Sequence, residues 1–594
     1  MKHERKPQVA QETIAVGEAA AASSQGGVSP ISIEVGLYLL IIAIAAALRF
    51  VRLDLWPLLS EELAHVLPPL QLIKGNAPLP VDYSPLLFTT NFVTFLSLGP
   101  GDATARLLVA LCGTILVALP YYLRSILGRI GSLATSLILT FSPTFLYFSR
   151  ISVGSMIVAT CAMVFLTALL AYQRDAASRR HLSVAVAALA VALLAGSEVY
   201  TLILVGATLL GVVALSTRSS EDRSDYHRLL AMGREAVTDR GQIALFLGIM
   251  LLVATAFSWN LGGIQAGLNL LANWFSNLLP LAGGRPWYQY LRLLVIYESP
   301  IMILGLIGLG LSVRKRESFG LALGYWFVVA LLFYTLLGPV NPGAMTVIIL
   351  PLALLCGRTI EEWGQKLRSV GSWDVTLAGI SVPILGFAYL NLVTYLHTGV
   401  IRSAWVGAII IGLLAASMVV FWAWIGREEG GRAGMMVILL VLAIVQVKTS
   451  VRLNYQYARH PVEPLAIEPL SPDQREMVRQ LTEISSHYSG DQHEIDILAE
   501  EGLRPVLSWC LRDFPNLDFA YSIPADATQA VVIKAVTGGD SKLSTYAGTT
   551  FHLRSRWPQQ TVTLRDRLRW LVLNEAIGVL QWDDIKLWVR MTKG

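Results

Sequence analysis

The sequence predicts a mainly α protein: a polytopic membrane helix bundle of about thirteen spans with a small α/β domain at its C-terminal end. Three observations predict it. Hydrophobic residues make up 54% of the 594 and charged residues only 15%, against roughly 25% in a soluble domain. Mean hydropathy is +0.57. Apolar runs near the ~20 residues needed to cross a bilayer recur along most of the chain and stop near residue 449. A soluble multidomain enzyme is excluded. The net charge of +5 is modest and sits in short loops, where it reports topology rather than nucleic-acid binding.

Residues 1–30 are polar and rich in Ala, Ser, Gln and Glu. They lack the apolar stretch and cleavage site of a signal peptide and read as a disordered cytoplasmic tail. The membrane part, 31–448, holds apolar segments near 31–51, 106–123, 130–147, 153–172, 182–197, 199–216, 243–258, 293–313, 319–338, 344–362, 374–396, 403–425 and 432–448. A further stretch, 84–98, is apolar but short.

The positive-inside rule decides that stretch. If it spans, Arg124, Arg129, Arg179, Arg180 and Arg314-Lys315-Arg316 all fall outside. If it lies on the outer surface, all become cytoplasmic, with Arg218 to Arg240, Arg358 to Arg368 and Arg427 to Arg432. The second choice puts the N-terminus in the cytoplasm and a large first loop, 52–105, outside with the C-terminal domain. Asp54, Glu61, Glu62, Asp82, Asp102, Arg106, Arg150, Glu198 and Glu298 then fall on or near the external face. Ionisable groups at membrane depth usually face a cavity and mark a site, so a membrane-embedded site opening outward is expected. A plain carrier would more often need such groups through the whole depth of the bundle.

Residues 449–594 change character. "EIDILA" and "AVVIKAV" read as buried strands. "SPDQREMVRQLTEISS" reads as a helix with Ser as its cap and Pro at its first position. The Arg-rich 564–571 reads as an amphipathic helix on the domain or the membrane surface. Trp509, Arg512 and Asp513 form either a recognition edge or part of a packed helix. Asp102 and Arg106 are spaced to pair across a helix start. Cys112, Cys161, Cys356 and Cys510 form no CxxC, and the histidines are scattered without ligand spacing, so neither a disulfide framework nor a metal site is expected. No cofactor is predicted, and a divalent cation has no support.

One order of features carries a resemblance: Arg49-Phe50, the acidic pair Glu61-Glu62, "DATARLLVALCGTILVALPYYLRSILGR", "SPTFLYFSR", "RPWYQYLRLLVIYES" and "LPLALLCGR", then "RHPVEPL", "SPDQREM" and "WCLRDFPNL" in the tail. It resembles the prokaryotic membrane family associated with flippase activity in protein N-glycosylation, within the GT-C superfamily that includes protein mannosyltransferases and the aminoarabinose transferase of lipid A. The resemblance implies a multi-pass protein of a prokaryotic plasma membrane. It implies transfer of a sugar from a polyprenyl-phosphate donor to a lipid, glycan or protein acceptor on the external face. A non-catalytic protein of the same fold that handles lipid-linked glycans is the alternative.

By the same resemblance Glu61 is the catalytic base and Glu62 its acidic partner. The family usually has Asp at the first position. Arg49 and Arg150 would serve the donor; for Arg150 the choice is a bidentate phosphate contact or ordinary interfacial snorkelling. Glu198, Trp287, Tyr288, Tyr297 and Glu298 complete the substrate-binding set, although aromatic groups at an interface are common in any membrane protein. Three features depart from the family: Ser155 replaces an acid, Ser197 a Lys, and Pro339-Val340 a Glu-Lys pair. They favour the non-catalytic alternative.

Overall fold

In the computed structural model the described residues are 33–591, apart from 77–81, 175–177, 217–223, 277, 279–287, 338–340, 370, 426, 457–462, 466–469, 525–526, 537–544, 557–568 and 571–580. The tail at 1–30, Trp287 and Pro339-Val340 lie outside them, as does 564–571 except Arg569 and Trp570.

The membrane part is built from α1 (Ile33–Phe50), α2 (Ser60–Ile73), α3 (Pro85–Leu98), α4 (Leu107–Ala118, continued by tighter turns to Leu127), α5 (Arg129–Phe141), α6 (Pro143–Phe148), α7 (Ser155–Arg174), α8 (Arg179–Ala195) and α9 (Glu198–Ser216). After these come α10 (Ser224–Thr238), α11 (Arg240–Ala254), α12 (Gly262–Ser276), α13 (Gln289–Tyr297), α14 (Ser299–Lys315), α15 (Ser318–Leu336), α16 (Ala344–Lys366), α17 (Ser372–Thr398), α18 (Ile401–Ile425) and α19 (Arg427–Val451). Eight helices among the described residues are long and apolar enough to cross a membrane, or ten if two bent pairs each count as one span. With α5, α8 and α18 they account for the segments read from the sequence. The chain is a multi-pass membrane protein.

Two spans break where the sequence reading ran them straight. Ser142 is extended (φ −63°, ψ 123°) because the residue before a proline avoids the helical region, so 130–147 is two helices, α5 and α6. The second break is at Glu298, between α13 and α14, with a bend of 103°; Pro300 follows in the first turn of α14. The stretch 84–98 forms α3, whose fourteen residues rise about 21 Å against a hydrocarbon core of about 30 Å.

At the centre lies α16, buried along most of its length. Lipid tails are as apolar as leucine, so helices associate by close packing rather than by the hydrophobic effect. Gly308 of α14 lies so close to α16 that a Cβ there would stand 2.3 Å from the Leu355 carbonyl. A Cβ on Gly131 of α5 would stand 2.6 Å from the Gly357 carbonyl. A buried carboxylate ties the same contact, for Glu361 accepts the Gly131 N–H at 2.8 Å.

The C-terminal domain packs α20 (Asp473–Tyr488) and α21 (Arg504–Cys510) on a five-stranded sheet ordered β2-β1-β3-β5-β4. The strands are β1 (Ile497–Glu500), β2 (Leu517–Ala520), β3 (Val531–Ala535), β4 (Tyr546–Arg556) and β5 (Gln581–Arg590). The first three pair in parallel, and β5 runs antiparallel to both β3 and β4. The expected strands "EIDILA" and "AVVIKAV" contain β1 and β3. The expected helix is α20, one or two residues shorter at its start. The membrane part contributes to the domain's core. Leu63, Val66, Leu67 and Leu70 of α2 and Phe95 of α3 belong to one apolar cluster with Met477, Leu481, Ile497, Val506, Leu507 and Ile533. Trp509 donates its ring N–H to Asp102 at 2.9 Å, so it serves docking rather than a free recognition edge.

We expect residues 463–594 expressed alone to expose that cluster, to bind a hydrophobic dye and to self-associate. A monodisperse fragment with a sharp unfolding transition would mean that α2 is dispensable to the domain.

Candidate functional site

The segment between α1 and α4 builds the site. Extended Leu59 precedes α2, and the adjacent acids at its start point about 100° apart. Glu62 turns inward and is fully buried, while Glu61 keeps partial exposure. Glu62 meets Arg106, itself 1% exposed, in a two-pronged pair: Nε to Oε1 at 2.7 Å and Nη2 to Oε2 at 2.8 Å. Its carboxylate also accepts the N–H groups of Leu59 at 2.8 Å and Ser152 at 2.7 Å. Arg106 gives its remaining donors to the carbonyls of Leu53 (2.7 Å), Trp56 (2.9 Å) and Pro57 (3.1 Å). One ion pair thus fastens three parts of the loop and the 150–155 turn.

The expected Asp102–Arg106 pair does not form. Arg106 sits at the start of α4 and is drawn inside by Glu62. Asp102 instead receives Trp509 and Arg475 from the C-terminal domain.

Arg49 and Arg150 lie beside this cluster and point into protein. Arg49 is fully buried and donates to Ser149 Oγ and to the carbonyls of Ala45 and Leu139. Arg150 caps the end of α1, donating to the carbonyls of Leu48 (2.8 Å), Val51 (3.0 Å) and Arg52 (2.7 Å). Its guanidinium lies 4.8 Å from the centre of the Tyr455 ring. Bare carbonyls at a helix C-terminus are natural partners for such a cation. Arg106, Tyr147, Arg150 and Asn454 line a narrow crevice with Leu53 and Trp56.

His65, three residues beyond Glu62, accepts the Ser84 N–H at its Nδ1 at 3.1 Å. Loss of water around the ring pushes its pKa down to about 4, against the pull of the Glu62 charge. It is neutral at physiological pH and ties α2 to the start of α3.

A second acidic cluster forms where α7 meets α9. Glu198 accepts from Ser155 Oγ at 2.6 Å and from the Asn341 side-chain amide at 2.8 Å. Asn341 in turn is bridged to Tyr290. The departure at Ser155 therefore has a structural counterpart. An acid there would face Glu198 at hydrogen-bond distance, and two carboxylates so close repel; the serine hydroxyl donates instead. Gly154 is required beside it, since a Cβ would stand 1.9 Å from the Ala195 carbonyl.

Glu298 belongs to a third cluster. Fully buried at the break between α13 and α14, it accepts from Ser142 Oγ (2.6 Å), the Thr144 N–H (2.8 Å) and Gln446 (3.0 Å). It holds both helix breaks together. Tyr297 donates its hydroxyl to Glu463. Tyr288 stands half exposed at the start of α13.

The structure thus brings Glu62, Arg49 and Arg150 to one side of the first loop, with Glu61 at its rim. Glu198 and Glu298 centre separate networks. Sequence reasoning missed Arg106 as the partner of Glu62, and also Ser152 and Glu463. A signal for Arg106 existed: an arginine opening an apolar span needs a buried partner. Three buried donors of the same segments, Trp56 Nε1, Ser60 Oγ and Ser152 Oγ, have no acceptor among the described residues. Among the described residues no group of three His, Cys, Asp or Glu is placed to hold a metal ion.

No family model matches the chain. Over 156 residues it is 27% identical to undecaprenyl phosphate-alpha-4-amino-4-deoxy-L-arabinose arabinosyl transferase 1 of Pseudomonas fluorescens (strain Pf0-1), a match that covers 24% of this chain and 27% of that protein. Over 130 residues it is 29% identical to transferase 2 of the same strain, covering 20% and 23%. The chain therefore spans about a quarter of the length of the curated relatives it matches. Among solved structures, ArnT from Cupriavidus metallidurans bound to undecaprenyl phosphate aligns with a TM-score of 0.54 and 19% identity, over 84% of this chain and 93% of that one. Its apo state aligns with a TM-score of 0.52 and 18% identity over the same shares. The likeness extends through nearly the whole of that architecture and shows a common fold.

Proposed function

We propose that this chain, which has the GT-C fold, is a membrane glycosyltransferase that moves a sugar from a polyprenyl-phosphate-linked donor to an acceptor at the external face. The observation that carries the reading is the division of labour in the acidic pair. Arg106 and two backbone amides lock Glu62, which leaves Glu61 on the outward flank of a rigid helix. Transfer from a polyprenyl-phosphate sugar needs a base to take the acceptor proton as the phosphate leaves, and a carboxylate suits that role. The unpaired donors of Trp56, Ser60 and Ser152 would be satisfied by an acceptor-rich group such as a phosphate. Undecaprenyl phosphate is present in one ArnT structure that shares the fold.

The test is transfer of a labelled sugar from polyprenyl-phosphate donors in membranes that contain the protein. Turnover above membranes lacking it supports the reading. Tight donor binding without turnover would instead favour a lipid-linked glycan handler.

The topology that goes with this reading has a cytoplasmic N-terminus and an extracytoplasmic C-terminal domain in the plasma membrane of a prokaryote. It rests on the basic loops and on the short, non-spanning α3. We expect a reporter fused after residue 127 to behave as cytoplasmic; an external signal there would invert every loop.

A further inference from the structure

The last span ends in two cations, Lys448 and Arg452, on the face where the rest of the chain places acids. Basic residues normally collect on the cytoplasmic side of such a protein. A pair at the other end, at membrane depth, marks a site. The pair opens into a cavity of about 210 Å³ whose walls include Tyr297, Tyr389, Glu463 and Trp570. Lys448 Nζ lies 4.7 Å from the centre of the Tyr389 ring and donates to its hydroxyl. Three aromatic rings and two cations around one space suit an anion that carries an organic body.

Tyr389 also lines a second space. With Leu385, Leu392 and Tyr395 of α17, and with Gly407 and Ile411 of α18, it lines an apolar crevice of about 390 Å³. The crevice runs between the two helices and exposes almost no polar surface. The residues that face the cationic cavity at 445, 448 and 449 of α19, and at 452 in the turn that follows, keep helical spacing and form one stripe. A different stripe of α19, at 439, 442, 443 and 446, lines a separate apolar groove against α5 and α14. The cationic cavity therefore shares a wall, Tyr389, with the α17–α18 crevice and no lining residue with that groove. Leu453 lines the cavity and Asn454, next to it, lines the crevice beside Arg106, so the space abuts the first-loop site without including it.

We propose that the cavity bounded by Lys448, Arg452 and Tyr389 binds the phosphate-bearing headgroup of a membrane lipid, whose hydrocarbon chain lies in the α17–α18 crevice. Basic pockets between transmembrane helices hold lipid phosphates in this way. Glu463 tunes the site. It accepts the Tyr297 hydroxyl, and burial pushes its carboxyl up to about 7, with Tyr297 and Arg452 opposing the rise. Among the described residues, the titratable groups that line the cavity with it are Tyr297 of α13, Tyr389 of α17, Lys448 of α19 and Arg452 just beyond α19; Tyr147 and Arg292 act electrostatically on Tyr297. Above pH 7 the Glu463 carboxylate repels a phosphate. Below it the neutral carboxyl does not, so binding tightens as the pH falls.

The test uses the full-length protein in neutral phosphatidylcholine nanodiscs, with bound lipid read by native mass spectrometry. The probes are phosphatidylglycerol, a long-chain polyprenyl phosphate, the matching uncharged prenol and inorganic phosphate. At least one phosphate-bearing lipid should bind about tenfold tighter than either the prenol or inorganic phosphate, as one or two charge-assisted hydrogen bonds would give. Preference for phosphatidylglycerol identifies a bilayer phospholipid as the source, and preference for the prenyl phosphate identifies a carrier lipid. Lys448→Gln with Arg452→Gln should weaken binding about tenfold or more, while Lys448→Arg keeps it. If the double variant does not insert, each single Gln variant is read in its place. For the preferred probe, wild-type binding should weaken between pH 6 and 8, and Glu463→Gln should remove that dependence. A phosphodiester gives the cleaner reading, because a phosphate monoester itself titrates near pH 6.

Equal binding of the prenol, or unchanged binding in the Gln variants, overturns the proposal. So does pH dependence that survives Glu463→Gln with phosphatidylglycerol. Because binding is read without turnover, failure here leaves the Glu61 reading standing, and loss of transfer on changing Glu61 leaves this one standing.

Discussion

Glu61→Gln is expected to cut sugar transfer by about 10²–10⁴, the usual cost of losing a general base. The protein should stay as stable as the wild type, because Glu61 stands partly exposed on the rim of α2 and the helix is anchored by its neighbour. Gln keeps size and polarity but cannot take a proton from the acceptor. Glu61→Asp should retain transfer, since a carboxylate remains and Asp is the residue the resemblance expects. The measurement is initial transfer rate in membranes beside a melting curve of the purified protein. Wild-type turnover in Glu61→Gln would remove Glu61 from the mechanism.

Glu62→Gln is expected to do the opposite: it should damage the protein before it damages the reaction. All four of the carboxylate's hydrogen bonds described above come from donors, and two of them come from a buried guanidinium. A Gln side chain offers one oxygen and turns an NH₂ group toward donors that need acceptors. The Arg106 charge is then buried without its counter-charge, a loss of about 3–5 kcal/mol when one partner of such a pair is removed. Glu62→Leu combined with Arg106→Met should recover part of the stability, since replacing both members of a buried pair is often close to neutral. A Glu62→Gln variant that melts like the wild type would mean that the pair is not structural.

The sequence alone does not show which member of the acidic pair is the structural one, and the reason is instructive. Adjacent residues on a helix must face different ways, but which one turns inward depends on what waits there. Here that is Arg106, forty-four positions later. The apolar segments, by contrast, were legible one by one, because bilayer thickness imposes their length locally. Their breaks were only half legible: Pro143 and Pro300 mark them, but Glu298, which joins both breaks, does so through long-range contacts. The resemblance drew attention to Arg49 and Arg150, yet resemblance says nothing about the Leu139 carbonyl of α5 or the carbonyls at the end of α1 that hold them. In the C-terminal domain β1 and β3 announce themselves as apolar runs. β4, with its many polar residues, and β5, with paired aspartates in mid-strand, do not.

The apolar cluster shared by α2, α3 and the C-terminal domain limits how this protein can be altered by descent or by design. A domain grafted from a relative would arrive with an incomplete core, and part of what it lacked would be the helix that presents Glu61. Substitutions at Leu63, Val66 or Leu70 must be matched by substitutions at Met477, Leu481 or Leu507. The heritable unit is therefore discontinuous: residues 54–106 travel with 463–594, and the intervening spans can diverge around them. A functional chimera would join two parents at the ends of those two segments, not at the visible boundary near residue 449.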